Sequence, residues 1–148
     1  MLLEFRRRGA GKTKTKNNMA KAEFLKQKAE AFFESACEQI QKKRYFLAAF
    51  SFEQASQLYL KYCLFSKLKD FPKIHEIDEL LKGIGKACEK KEKVEEFLKE
   101  NASVIGDLNQ SYITSRYLPV DFSAYQVKEM REFVKRLLNF LKKLCPKL

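Results

Sequence analysis

One histidine stands in this chain, His75, within Phe71-Pro72-Lys73-Ile74-His75-Glu76-Ile77-Asp78-Glu79-Leu80-Leu81. A lone imidazole narrows the available chemistry. It cannot form a two-histidine metal site, and it must supply any histidine-based acid or base catalysis by itself. The run reads as a Pro-containing link opening into a helix. His75 is therefore placed to pack against or cap that helix, or to face a ligand where N-terminal backbone N–H groups favour anions. No activated-serine motif surrounds it. Glu76, Asp78 and Glu79 read as acids of a first helical turn, complementing the helix dipole. The four cysteines, Cys37, Cys63, Cys88 and Cys145, contain no CxxC pair, so zinc-ribbon and thioredoxin-like chemistry is unsupported. Three of them replace apolar residues in helical stripes, as buried thiols of a reducing compartment do, and their disulfide state stays open.

Gly9-Ala10-Gly11-Lys12-Thr13 invites a phosphate-loop reading. That loop needs a Gly five residues before its Gly-Lys pair, where this chain has Arg6, and an apolar strand before it, which is absent. No cofactor and no metal is expected. Glu92, Glu95, Glu96 and Glu100 alternate with lysines as a solvated helix face with i,i+4 pairs.

The elements that must position these residues are helical. With 148 residues, the chain fits one domain able to bury a core. Five Gly and three Pro are too few for an all-β chain of this length. Thirteen Phe and six Tyr, with no Trp, give an aromatic-rich interior. Of the +11 net charge, +5 falls in residues 1–18, where six basic residues face Glu4 alone. That stretch is expected to be a basic, disordered arm, with Met19-Ala20 a credible true start. Residues 19–148 keep a moderately basic surface, which suits a polyanionic partner or is simply solvated. No apolar run reaches the roughly 18–20 residues of a membrane span, and no secretory leader is evident, so no membrane role and a cytoplasmic location are expected.

Ala22, Leu25, Ala29, Phe32, Ala36 and Ile40 recur at helical spacing, predicting a first helix that ends near Lys42-Lys43. A second runs from Tyr45 to Lys67. It carries one apolar stripe through Ala48, Phe52, Ala55, Tyr59 and Cys63, and another through Phe46, Phe50, Gln54 and Leu58. A helix apolar on nearly all sides is central to a bundle or shared with a partner, which makes Phe46, Phe50, Gln54 and Leu58 the candidate dimer contacts. A third helix opens near Ile74. A fourth spans Val94 to Ile113 with a point of interruption at Asn101-Ala102-Ser103. After Leu118-Pro119, Asp121 or Ser123 caps a last helix ending at Leu144. The expected fold is all-α, an antiparallel up-and-down helical bundle of about five helices.

Three pieces, taken in order, resemble the HEPN domain family (higher eukaryotes and prokaryotes nucleotide-binding). The first is Tyr45, Phe50 and Gln54-Ala55-Ser56-Gln57-Leu58-Tyr59-Leu60-Lys61, similar to the family's aromatic, Gln-Ala pair and later Lys, with Gln57 where the family often has Glu. The second is His75 opening the third helix. The third is Tyr112-Ile113-Thr114-Ser115-Arg116-Tyr117-Leu118-Pro119, which resembles an Arg-Tyr-Pro segment with Leu118 inserted. The resemblance covers residues 20–145. It implies a homodimeric bundle that often works beside a minimal nucleotidyltransferase, as in toxin–antitoxin pairs. Ribonuclease members carry an Arg, then four to six residues, then a His. Here those positions hold Leu68, Lys69 and Asp70, and Lys69 lacks the planar fork that clamps phosphate.

Lys61, His75, Tyr112, Arg116 and Tyr117 are the candidate ligand-binding residues. Arg116 can grip a phosphate bidentately, Lys61 adds a point charge, and Tyr112 or Tyr117 can stack on a base. The competing structural role has Lys61 and Arg116 bonding carbonyls and carboxylates between helices, with Tyr117 filling a core gap. The expected function is a non-catalytic module binding a nucleotide, RNA or a nucleotidyltransferase partner. The alternatives are a ribonuclease built from Arg116 and His75, and a structural bundle whose basic arm binds nucleic acid without specificity.

Overall fold

The computed structural model describes residues 12–146 and 148. Among them are six helices: α1 (Lys12–Gln41), α2 (Tyr45–Leu68), α3 (Ile77–Ala87), α4 (Lys91–Glu100), α5 (Ala102–Tyr117) and α6 (Ala124–Leu144). They form an antiparallel all-α bundle. Residues 1–11, most of the expected basic arm, lie outside the described residues, and α1 begins at Lys12 within that segment.

Placing α2 at the centre follows from its composition, since it packs against α1, α3, α5 and α6. Ala48, Phe52, Ala55, Leu60 and Leu64 are buried along it, as are Tyr59, Tyr62, Cys63 and Phe65. The Ala positions let α1 approach closely, and Phe33 of α1 meets Phe52 edge-on at 5.7 Å. From the other side α6 contributes Val127, Met130, Phe133, Val134, Leu137 and Leu141, all buried at helical spacing.

The links obey capping chemistry more than glycine content. α1 ends in a Schellman arrangement: Arg44 N–H donates to Gln39 O at 2.9 Å and Lys43 N–H to Ile40 O at 3.0 Å, with Lys43 at φ 57°. α3 ends the same way, Lys90 N–H donating to Gly85 O at 2.8 Å with Glu89 at φ 55°. Lys69, at φ 62°, closes α2 by donating its N–H to Phe65 O. These three left-handed positions are held by lysine, glutamate and lysine rather than glycine. Between the two candidate caps of the last helix, Ser123 takes the role in a full capping box with Gln126.

The single helix expected over Val94–Ile113 is divided into α4 and α5 at Asn101. Asn101 is buried, its Nδ2 donates back to Phe97 O at 2.9 Å, and its Oδ1 accepts from Arg136 Nε at 3.0 Å and Nη2 at 2.9 Å. Asn competes with the helix ladder through its own side chain, and here that competition fastens the break to α6. The third helix also begins later than expected, at Ile77, so His75 stands in the link before it. No described helix is long and apolar enough to cross a membrane.

Candidate functional site

His75 is positioned from α5. Asn109 Oδ1 accepts from the Ile77 N–H at 2.9 Å, and its Nδ2 donates to Asp78 Oδ1 at 2.8 Å. A side chain on α5 thus caps the first turn of α3, where Glu76 as N-cap residue makes no side-chain capping bond. One turn along α5 from Asn109, the Tyr112 ring lies parallel to the His75 imidazole, centroids 4.1 Å apart at 8°. His75 Nε2 is 3.4 Å from Glu76 Oε1, while its Nδ1 is buried with no hydrogen-bond partner.

Arg116 follows Tyr112 by one helical turn and uses the same ring. Its guanidinium carbon is 4.5 Å from the Tyr112 centroid, 4.9 Å from Tyr117 and 5.4 Å from Phe50 of α2. Its Nε donates to Tyr112 O at 2.8 Å. Each cation–π contact contributes about 0.5–1 kcal/mol where exposed, so three rings and one carbonyl hold this side chain in place. Among the described residues, its Nη atoms make no hydrogen bond and no carboxylate pairs with it within 4 Å. Ser111 Oγ, bonded to Leu108 O at 2.7 Å and near Ala49 O at 3.4 Å, fixes α5 against α2 beneath this cluster.

On α2 the polar stripe Glu53–Gln57–Lys61 runs beside the site. Glu53 is fully buried; it accepts from Gln57 Nε2 at 2.6 Å and Gln54 Nε2 at 2.8 Å. Burial pushes its carboxyl up to about 7, opposed by the hydrogen bonds from Gln57 and Gln54 and by the charges of Lys61 and Arg116. Lys61 is half-buried, with Nζ 5.6 Å above the Phe71 ring. Burial lowers its pKa and the Glu53 charge raises it. Lys61 and Arg116 thus share the field of one buried acid whose carboxyl is held above its ordinary range.

The structure brings His75, Tyr112, Arg116 and Tyr117 into one ring-and-cation cluster. Lys61 is linked to it through Glu53, whose carboxyl feels the charges of both Lys61 and Arg116. Tyr117 is 70% exposed, so it fills no core gap. Tyr112 carries both His75 and Arg116, whereas the exposed Tyr117 ring carries Arg116 alone. Among the candidate dimer contacts, Phe46 is 39% exposed, Gln54 and Leu58 are half-buried, and Phe50 also supports Arg116. Glu53, Asn109 and Phe71 were not among the expected site residues. Glu53 carried a signal: it is the one charged residue between Tyr45 and Lys61 in an otherwise apolar helix. Glu53 stands one turn before Gln57 and accepts its hydrogen bond.

The HEPN domain family model matches residues 22–144, from α1 to the end of α6. No curated protein and no solved structure matches the chain. The match spans every element that builds the site, with the motif pieces on α2, the link before α3 and the end of α5. This chain belongs to the HEPN domain family.

Proposed function

We propose that this protein is a non-catalytic, homodimeric binding module for a nucleotide, or for a nucleotide at an RNA end, working with a minimal nucleotidyltransferase partner. The observation that carries the reading is Arg116: an exposed guanidinium, oriented by Phe50, Tyr112 and Tyr117 and bonded through Nε, with its Nη edge unoccupied by any described side chain. A side chain serving only to join helices has its fork filled by carbonyls or carboxylates. Here the fork faces outward beside the exposed Tyr117 ring, the pairing that suits phosphate and base. Lys61 adds positive field from α2. Thermal-shift titration with ATP and related nucleotides tests this. Stabilisation of the wild type that is lost in Arg116→Ala supports the site; no stabilisation by any nucleotide contradicts it.

A second reading rests on one specific convergence. His75 and Arg116, far apart in sequence, both lie on the Tyr112 ring. A ribonuclease would use Arg116 on the phosphate and His75 as acid or base. RNA cleavage by the wild type, absent from His75→Ala, establishes that reading. Equal cleavage by both, or none, removes it.

A further inference from the structure

Away from the ring cluster, three of the four cysteines meet at the other end of the bundle. Cys63 of α2, Cys88 just after α3 and Cys145 just after α6 line one cavity of about 170 Å³, together with Ser66, Lys67 and Ile84. Residues 25 to 82 positions apart in sequence are thus gathered by the topology. The Cys63 thiol is in hydrogen-bond contact with Cys145. Cys88 is within electrostatic range of both, with the Lys67 charge beside it. The sulfurs are not arranged as a cation cradle: among the described residues no cysteine-containing group of three is placed to hold a metal.

We propose that Cys63 and Cys145 form a peroxide-sensitive thiol pair whose disulfide fastens the C-terminal segment to the central helix. A disulfide requires S–S of about 2.05 Å, so these two sulfurs, which share a hydrogen bond and one cavity, must close further. Cys145 can supply that approach, because its backbone has left helical geometry (φ −131°, ψ 87°). The cavity admits hydrogen peroxide, which is little larger than water. Cys145 is 9% exposed against 4% for Cys63, and the first attack is assigned to it on that difference. Its thiolate attacks one peroxide oxygen, the O–O bond breaks, and hydroxide leaves with the proton released from the thiol, giving a sulfenic acid and water. The Cys63 sulfur then attacks the sulfenic sulfur, its own proton goes to the departing oxygen, and a second water leaves. In sum, two thiols and one peroxide give one disulfide and two waters. The hydrogen bond with Cys145 and then burial hold Cys63 protonated until that point, which suits a resolving rather than an attacking thiol.

The test treats the full chain with hydrogen peroxide, alkylates remaining thiols without reductant, and maps the products by peptide mass. The expected result is two alkylated sites, Cys37 and Cys88, a Cys63–Cys145 cross-linked peptide, and a rise in Tm that dithiothreitol reverses. Cys145→Ser, altered only beyond the last helix, is expected to lose the cross-link and the Tm rise while keeping the wild-type helical spectrum. Four alkylated sites after treatment, or a cross-link that pairs Cys88 or Cys37 instead, overturns the proposal. So does a Cys63–Cys145 cross-link that leaves Tm unchanged, since the segment is then not fastened.

Discussion

The imidazole of His75 lies face to face with the Tyr112 ring, 4.1 Å between centroids and 8° from parallel. This pair joins the link before α3 to the helix that bears Arg116, and Asn109 fastens the same two elements one turn earlier. Removing the cap separates positioning from chemistry. Asn109→Ala is expected to cost about 1 kcal/mol of stability, as lost N-caps do. It is also expected to weaken binding at the proposed nucleotide site, because Asn109 positions the link that carries His75. Paired denaturant unfolding and titration of this variant check it; unchanged affinity contradicts the positioning role.

The buried acid on α2 sets a pH dependence. Glu53 is a carboxyl whose folded-state value, about 7, is raised above its ordinary 4.5. Between those values the folded chain keeps a proton that the unfolded chain has released. Stability contributed by this group is therefore intact below pH 4.5, falls as pH rises, and stays low above 7, a loss of about 3 kcal/mol. Glu53→Gln is expected to remove that slope. Urea unfolding of both proteins at pH 5 and pH 8 reads the difference; parallel profiles contradict the assignment.

Two helical glycines are expected to respond oppositely to alanine. A Cβ at Gly85 of α3 meets Val94 Cγ2 at 3.0 Å and the Lys91 backbone at 3.4 Å, whereas at Gly106 of α5 nothing lies within 4 Å. Gly85→Ala is expected to destabilise by about 1–3 kcal/mol through overpacking where α3 crosses α4. Gly106→Ala is expected to stabilise by about 0.5–1 kcal/mol from helix propensity alone. Thermal unfolding of the two variants decides both.

Dimerisation through α2 predicts sedimentation at twice the 17.4 kDa chain mass at micromolar concentration. Phe46, exposed at the start of α2, can become Asp without disturbing the core, and an acid there suits the helix N-terminus. Phe46→Asp is expected to shift the protein to monomer with an unchanged helical spectrum. A monomeric wild type contradicts this contact.

Much of this architecture is legible in residue spacing. The apolar run of α2 marks it as central, Asn101 marks the division of α4 from α5, and Ser123 marks the start of α6. The start of α3 is less legible, because its cap comes from Asn109, 32 residues away, a contact no local pattern encodes. The ring cluster is legible in its members and hidden in its pairing: Tyr112 and Tyr117 are equivalent as sequence, and only packing makes one a support and the other an open face. Glu53 escapes a search for motifs because its significance is burial, visible only once α2 is enclosed on several sides.

The proposed nucleotide site at Arg116 and Tyr117 adjoins His75 through the shared Tyr112 ring, and the single histidine makes it directly observable. One imidazole gives one set of ring resonances, so ATP titration followed on the His75 Hε1 signal reports that site alone. The account predicts a saturable shift of this signal in the wild type, with affinity lowered about 10- to 100-fold in Arg116→Ala by loss of charge-assisted bonds. An imidazole signal that stays in place through millimolar ATP, or that moves equally in Arg116→Ala, contradicts it.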